Sequence, residues 1–184
     1  METVHTTELT TSSRRTASEP PIDKQHLKDL FSRVPAGVVV VTSRTADGDL
    51  AGATVSSFSS LSFEPPLISL ALSQRSKTLS AIVGHGHFAV HVVADSQRHI
   101  AMWFASDAAN KFDSVDYQLT TNGVPLLKRF DTALQCKLES AQPAGDHQLL
   151  IARIVQVELL EQDSAPVAWL RRGFHMCEQL PAHA

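Results

Sequence analysis

A hydroxyl-rich stretch between two apolar runs is the feature that most constrains how this chain can fold. Six of the nine residues in 54–62 are Ser or Thr, whereas 38–41 is an unbroken run of Val and a single Ser interrupts the aliphatic run 67–72. Short apolar runs of this kind are typical of buried strands. The stretch is therefore predicted to lie between two strands as a neutral surface of hydrogen-bond donors and acceptors. The alternative is an ordinary polar loop.

The rest of the chain predicts mainly strands, with few helices and short connections that suit antiparallel pairing. Together they predict an α+β fold, mainly antiparallel β, built as a barrel or sandwich. The expected elements, in chain order, are a helix capped by Asp23 and ended by 35–37, an Asp-Gly hairpin turn at 45–48, a helix over 77–83 capped by Ser76 and stopped by Gly84, a strand at 87–93, a helix from Asp95 to Ala105, an irregular segment at 106–128, and strands at 134–138, 148–160, 167–170 and 174–177.

Composition limits the number of domains and the kinds of partner. The chain has 184 residues, which suits one domain, and a net charge of −3, which gives no electrostatic argument for nucleic acid or an anionic membrane. Half of the first eighteen residues are Ser or Thr, so 1–21 is predicted to be a flexible tail preceding a domain at 22–180. Without an apolar signal core or a run of about 20 apolar residues, the protein is expected to be cytoplasmic, with no membrane partner.

Two local patterns suggest chemistry that their context argues against. Residues 84–89 match the spacing G-x-G-x-x-A of a dinucleotide-binding loop, but that loop follows a strand and opens a helix, and here the predicted order is reversed. His85, His87 and His91 are an even number of residues apart, so on a continuous strand their side chains would face the same side. Such a group of His residues could indicate a metal site. No acidic residue or Cys lies nearby, so we expect no metal site and interpret these three as polar positions on an exposed face.

Several segments in order resemble the flavin reductase-like family, the short-chain NAD(P)H:flavin oxidoreductases that supply reduced flavin to two-component monooxygenases. The resemblance covers roughly residues 26–178 and rests on an ordered set of short matches, each of them weak alone. They are 34–42 (VPAGVVVVT), 52–62 (GATVSSFSSLS) with 65–67 (PPL), 76–78 (SKT), 88–90 (FAV), 104–105 (FA) with 111–112 (KF), 123–127 (GVPLL) and 145–147 (GDH).

This resemblance implies a split β-barrel with short peripheral helices, working as a homodimer. The implied reaction is hydride transfer from NADH or NADPH to N5 of FMN or FAD, with the reduced flavin passing to a partner oxygenase. The site residues it implies are Thr54, Val55, Ser56 and Ser57 along the flavin, Leu72 and Ser73 beside its ring, Ser76, Lys77 and Thr78 at its ribityl-phosphate end, Lys111 as a further phosphate ligand, and His147 as the catalytic residue near the nicotinamide.

The chain departs from the family pattern at two positions. His91 stands where the family often has Asn, and Phe174 stands where a Tyr often follows Gly. Both departures leave the choice of cofactor and the handling of substrate open. Two other functions also stay open: a flavin-binding protein without reductase turnover, and an enzyme with fixed flavin that acts directly on a metabolite. For His147 the alternative is a turn residue that caps neighbouring backbone.

Overall fold

The computed structural model describes residues 21–159 and 164–179, so almost all of the predicted tail lies outside the described residues. The helices are α1 (Lys24–Phe31), α2 (Lys77–His85) and α3 (Arg98–Ala105), with 3-10 helices at Asp95–Gln97 and Lys111–Ser114. The strands are β1 (Ala36–Gly37), β2 (Val39–Arg44), β3 (Leu50–Val55), β4 (Ser59–Phe63), β5 (Pro66–Ser73), β6 (His87–Val92), β7 (Tyr117–Leu119), β8 (Pro125–Leu127), β9 (Thr132–Ala144), β10 (His147–Leu159), β11 (Val167–Leu170) and β12 (Gly173–Met176).

Seven strands form one antiparallel sheet in the order β3-β2-β6-β9-β10-β5-β4. Two small sheets, β1-β11-β12 and β7-β8, complete the described part. The predicted α+β class, mainly antiparallel, is confirmed, and the large sheet is not closed into a ring, since β3 and β4 are its two edges. The segment that follows β3 is nevertheless bonded to β5, because Ser57 Oγ donates to the Ala71 carbonyl and accepts from the Ala71 N–H, both at 2.9 Å.

The Val run of β2 is buried on both faces, which explains why it lacks the polar alternation of a half-exposed strand. Val39 and Val41 belong to the apolar core under α2, and Val38 and Val40 belong to a second core against α3. All four side chains are at most 4% exposed. The hydroxyl-rich stretch begins at the end of the partner strand β3 and continues through residues 56–58 into β4, so only its first two residues lie on the strand that packs against β2.

Three local predictions were wrong in detail. α2 runs through Gly84 and ends at Gly86, whose φ of +77° gives the left-handed conformation that glycine tolerates best. Asp95 opens a 3-10 helix rather than α3, with the Gln97 side chain accepting from the Ala94 N–H at 3.0 Å. The segment 106–128 is not wholly irregular, since it contains the β7-β8 hairpin. Strands of only three residues are too short to show a period in the sequence.

His91 is a fully buried residue, so its interpretation as an exposed polar position was wrong. Its Nδ1 lies 3.0 Å from the Val40 carbonyl, and its Nε2 accepts from the Leu127 N–H at 2.9 Å. These partners require a neutral ring with the proton on Nδ1. Desolvation lowers the pKa of His91 from 6.5 to about 4, against an opposing contribution from the Val40 hydrogen bond.

The buried His91 makes folding stability depend on pH. As pH falls below about 6.5, the unfolded chain binds a proton that the folded chain takes up only near pH 4, so stability falls across that window. The shift corresponds to about 3 kcal/mol in total. We expect the unfolding free energy of the wild type, taken relative to that of His91→Asn, to fall by about that amount between about pH 7.5 and about pH 4, measured by urea denaturation.

A matched control is His99→Asn, since His99 is exposed on α3 and makes no side-chain hydrogen bond or ion pair within the described residues. Its unfolding free energy should stay parallel to that of the wild type over the same range. A constant difference between wild type and His91→Asn at all pH values would contradict the neutral, buried state of this ring.

Candidate active site

One cavity of about 740 Å³ lies between β3, the end of β5, the start of α2 and the segment that follows α3. Every residue that the sequence analysis selected lines it, although they come from five separate parts of the chain. They are Thr54, Val55, Ser56, Ser57, Leu72, Ser73, Ser76, Lys77, Thr78, Lys111 and His147. A cavity of this size matches the usual volume of small-molecule and cofactor sites.

The hydroxyl-rich wall is partly used by the protein itself. Thr54 Oγ1 donates to the Ala101 carbonyl of α3 at 2.6 Å, and Ser57 bonds both backbone groups of Ala71. These bonds fix the wall to α3 on one side and to β5 on the other. The Ser56 hydroxyl makes no such bond within the described residues and is exposed, so it is the hydroxyl of this stretch most available to a ligand.

The start of α2 forms the electropositive end of the cavity. Ser76 is the N-cap, as predicted, and its Oγ accepts from the Leu79 N–H at 3.3 Å. Helix N-termini favour anions because their first N–H groups point outward and the helix dipole adds partial positive charge. Lys77 in the first turn is exposed and brings a full charge, whereas the Thr78 side chain is buried.

Arg75 is a lining residue that the sequence analysis missed. It lies in the turn between β5 and α2 and is exposed, so no periodicity or burial pattern marks it. Its place between Ser73 and Ser76 was the available signal, although position alone does not decide it, since the neighbouring Gln74 does not line the cavity. Arg75 and Lys77 together give this end of the cavity two cationic side chains.

Lys111 reaches the cavity from the opposite wall, but its ammonium is largely engaged. Nζ donates to the Phe104 carbonyl at 2.8 Å and to the Gly52 carbonyl at 3.4 Å. Burial lowers the pKa of Lys111, while the nearby charge of Asp107 opposes that shift. The ammonium therefore joins the last turn of α3 to β3. One of its three N–H groups remains for a ligand in the cavity.

His147 begins β10 and pairs with Ser73 at the end of β5, which brings it to the mouth of the cavity. Its Nδ1 lies 2.7 Å from Asp146 Oδ1, and its side chain is 45% exposed. The hydrogen bond from His147 is the main reason that the pKa of Asp146 is lowered. The site thus combines a cationic end, a hydroxyl-bearing wall and an imidazole at its entrance, which suits a long ligand with an anionic terminus.

The described residues contain no cluster of three His, Cys, Asp or Glu that could hold a metal ion. The glycine-rich segment 84–89 joins the end of α2 to β6, so the order of elements is indeed the reverse of a dinucleotide-binding loop. Among residues 21–159 and 164–179, no helix has the length and hydropathy to span a bilayer.

Comparisons with known proteins give a consistent result. The family model described as "Flavin reductase like domain" matches residues 31–178. A flavin reductase of Pseudomonas putida is 34% identical over 153 residues, which cover 83% of this chain and 89% of that protein. The reductase component of 4-hydroxyphenylacetate 3-monooxygenase of Thermus thermophilus is 31% identical over 155 residues, covering 82% and 95%. The NADH:FAD oxidoreductase SgcE6 of Streptomyces globisporus, solved with NAD and FAD fragments, is similar with a TM-score of 0.78 at 25% identity, covering 88% and 96%.

Proposed function

The chain belongs to the family of flavin reductase-like domains, and from this premise we propose that it uses NADH to reduce a flavin in the cavity between β3, β5 and α2. The observation that carries the proposal is the convergence of eleven residues from five parts of the chain on one cavity. The flavin, FMN or FAD, supplies the chemistry by accepting a hydride from the nicotinamide.

The cavity fits a flavin by size and by the chemistry of its walls. Its volume of about 740 Å³ lies within the range for cofactor sites. Phosphate matches the Arg75, Ser76 and Lys77 end, where a helix N-terminus and two cationic side chains meet. Val55 and Leu72, both at most 8% exposed, provide apolar support next to the hydroxyl-bearing stretch.

In this proposal the residues bind and orient the two reactants. Thr54 to Ser57 and Leu72 to Ser73 hold the flavin ring, Ser76 to Thr78 hold the ribityl-phosphate end, and Lys111 holds the wall from the far side. His147 lies at the entrance, where a nicotinamide nucleotide would approach the bound flavin. Positioning is the main contribution the protein can make, since holding two reactants in register removes much of the entropic barrier to their reaction.

The direct test is turnover by the purified protein. We expect oxidation of NADH, followed by absorbance, to depend on added FMN or FAD, and NADPH is tested in parallel. Glu139→Gln breaks an exposed ion pair with Arg153 outside the cavity, so this variant should turn over at the wild-type rate. Lack of turnover with every combination of nucleotide and flavin would refute the function.

The reduced flavin is proposed to leave for an oxygenase, as the name of the Thermus thermophilus relative indicates for that protein. Release can be measured separately from turnover. We expect the purified protein to lose its flavin on dialysis, because a flavin that carries electrons to a second protein must exchange. A yellow protein that retains its flavin would instead favour an enzyme with a fixed flavin.

A homodimer is the proposed assembly. The described protomer leaves large apolar side chains exposed, among them Phe31 at 66%, Phe63 at 98% and Leu159 at 73%, and a second copy of the chain is proposed to cover some of them. We expect sedimentation equilibrium to give twice the 20.0 kDa mass of the chain. A monomeric mass at the concentrations that support turnover would contradict a dimeric enzyme.

A further inference from the structure

The turn before His147 is fixed to the turn before α2 by one residue, Gln74. The Gln74 N–H donates to the Asp146 carbonyl, and Gln74 Nε2 donates to the Gly145 carbonyl, both at 3.0 Å. The β9-β10 turn is thereby tied to the segment that carries Arg75 and Ser76. The backbone at Asp146 is held in place before any side-chain contact of Asp146 is considered.

The Asp146 carboxylate then determines which nitrogen of His147 carries the proton. An ionised carboxylate can only accept a hydrogen bond, so the 2.7 Å contact requires a proton on His147 Nδ1. In a neutral ring this leaves Nε2 unprotonated and able to accept. Nε2 has no hydrogen-bond partner within the described residues, and the His147 side chain lines the cavity.

Stability alone does not account for the Asp146–His147 pair. The Asp146 side chain is 95% exposed, and exposed pairs of this kind contribute little to folding. The backbone of the turn is held by Gln74 without help from the carboxylate. The effect that remains for the carboxylate is on the orientation and tautomer of His147.

We propose that Asp146 is a positioning residue that holds His147 with its proton on Nδ1, so that Nε2 accepts a hydrogen bond from the carboxamide N–H of the nicotinamide. This inference rests on the proposed function for the identity of the ligand. It adds a specificity: the site prefers a ring that carries a carboxamide, a donor, over one that carries a carboxylate, which can only accept. An unprotonated Nε2 facing a carboxylate would place two acceptors together.

The tautomer can be measured without any substrate. Nitrogen-15 NMR of the histidine rings, with His147 assigned through His147→Gln, reports which nitrogen is protonated at about pH 8, where an ordinary imidazole is neutral. We expect a proton on Nδ1 in the wild type and in Asp146→Asn, which keeps an acceptor oxygen, and a shift toward the Nε2 proton in Asp146→Ala. The same tautomer in wild type and Asp146→Ala would overturn the proposal, whether or not the protein reduces flavin.

Kinetics test the consequence for substrate recognition. We expect Asp146→Ala to raise KM for NADH about 5- to 10-fold, the effect of losing about one hydrogen bond, while kcat and the KM for flavin change less than about 2-fold. The preference for NADH over its analogue with a carboxylate in place of the carboxamide should fall by a similar factor, and Asp146→Asn should restore most of it. Equal losses with both nucleotides would overturn the proposal, whereas absence of any wild-type turnover would refute the underlying function instead.

Discussion

Replacing Gly52 with Ala is expected to lower the free energy of unfolding by about 3 kcal/mol, the upper end of the cost of overpacking a core. A Cβ on Gly52 would overlap the Phe104 ring, lying 2.7 Å from Cδ1 and in closer conflict with Cε1, and would lie 3.2 Å from the Val41 carbonyl oxygen. Phe104 cannot move away easily, because it is 1% exposed and packs edge-to-face on Phe112.

The same change should also weaken flavin binding. The carbonyls of Gly52 and Phe104 both accept from Lys111 Nζ, so separating β3 from α3 disrupts this contact at the cavity wall. We expect a lower urea midpoint together with a KM for flavin raised about 10-fold or more, about 1.4 kcal/mol of lost binding.

Two further variants make this prediction specific. Gly84→Ala is the matched control, because the position is inside α2 and the added methyl group would meet no atom within 4 Å apart from its chain neighbours and the backbone of its own helix. It should stabilise the protein by about 0.5–1 kcal/mol, the ordinary helix preference of Ala over Gly. Phe104→Leu should recover part of the loss when combined with Gly52→Ala. A urea midpoint for Gly52→Ala equal to that of the wild type would show that Gly52 and Phe104 do not pack as described.

Replacing Lys77 with Ala is expected to raise the KM for FMN about 10-fold and to change the KM for riboflavin less than about 2-fold. The two flavins share the ring and the ribityl chain, and only FMN carries the phosphate that the start of α2 is proposed to bind. Lys77 contributes a charge there, next to the N–H groups of the first turn. Because Lys77 is exposed, added salt should reduce the effect.

Arg75 is expected to compensate for part of the lost charge, since it lines the same end of the cavity. The double variant Arg75→Ala, Lys77→Ala should therefore raise the KM for FMN further, to about 100-fold. Lys137→Ala is the matched control, an exposed Lys on β9 outside the cavity. Equal losses with FMN and riboflavin in Lys77→Ala would contradict a phosphate contact.

The local sequence predicted the structure correctly where adjacent residues alone determine the conformation. The Val run of β2, the Ser76 cap and the Asp-Gly turn were all predicted correctly, since each depends on the conformational preferences of adjacent residues. The class of fold followed from the number of strands and the short connections between them. The roles proposed for Lys111 and His147 came only through resemblance to a family, because no neighbouring residue marks either of them.

Local sequence failed where a polar side chain has a distant partner. His91 was interpreted as an exposed strand residue, but the Val40 carbonyl and the Leu127 N–H satisfy both ring nitrogens in the core. Thr54 shows the same limit, since its hydroxyl is bonded to α3. A polar residue is buried when its partners come from elsewhere in the chain, and the identity of the residue does not indicate whether they will.

The sequence by itself therefore determined the long apolar strands, the Ser76 cap and the hydroxyl-rich composition of the stretch 54–62, since each depends on a few adjacent residues. Only the tertiary structure decided which of those groups face a common cavity. The β5-β10 register places His147 opposite Ser73, and the two hydrogen bonds from Gln74 to the carbonyls of residues 145 and 146 fix that end of the site. Such contacts depend on strand pairing between distant segments, whose register is set by the packing of the whole sheet.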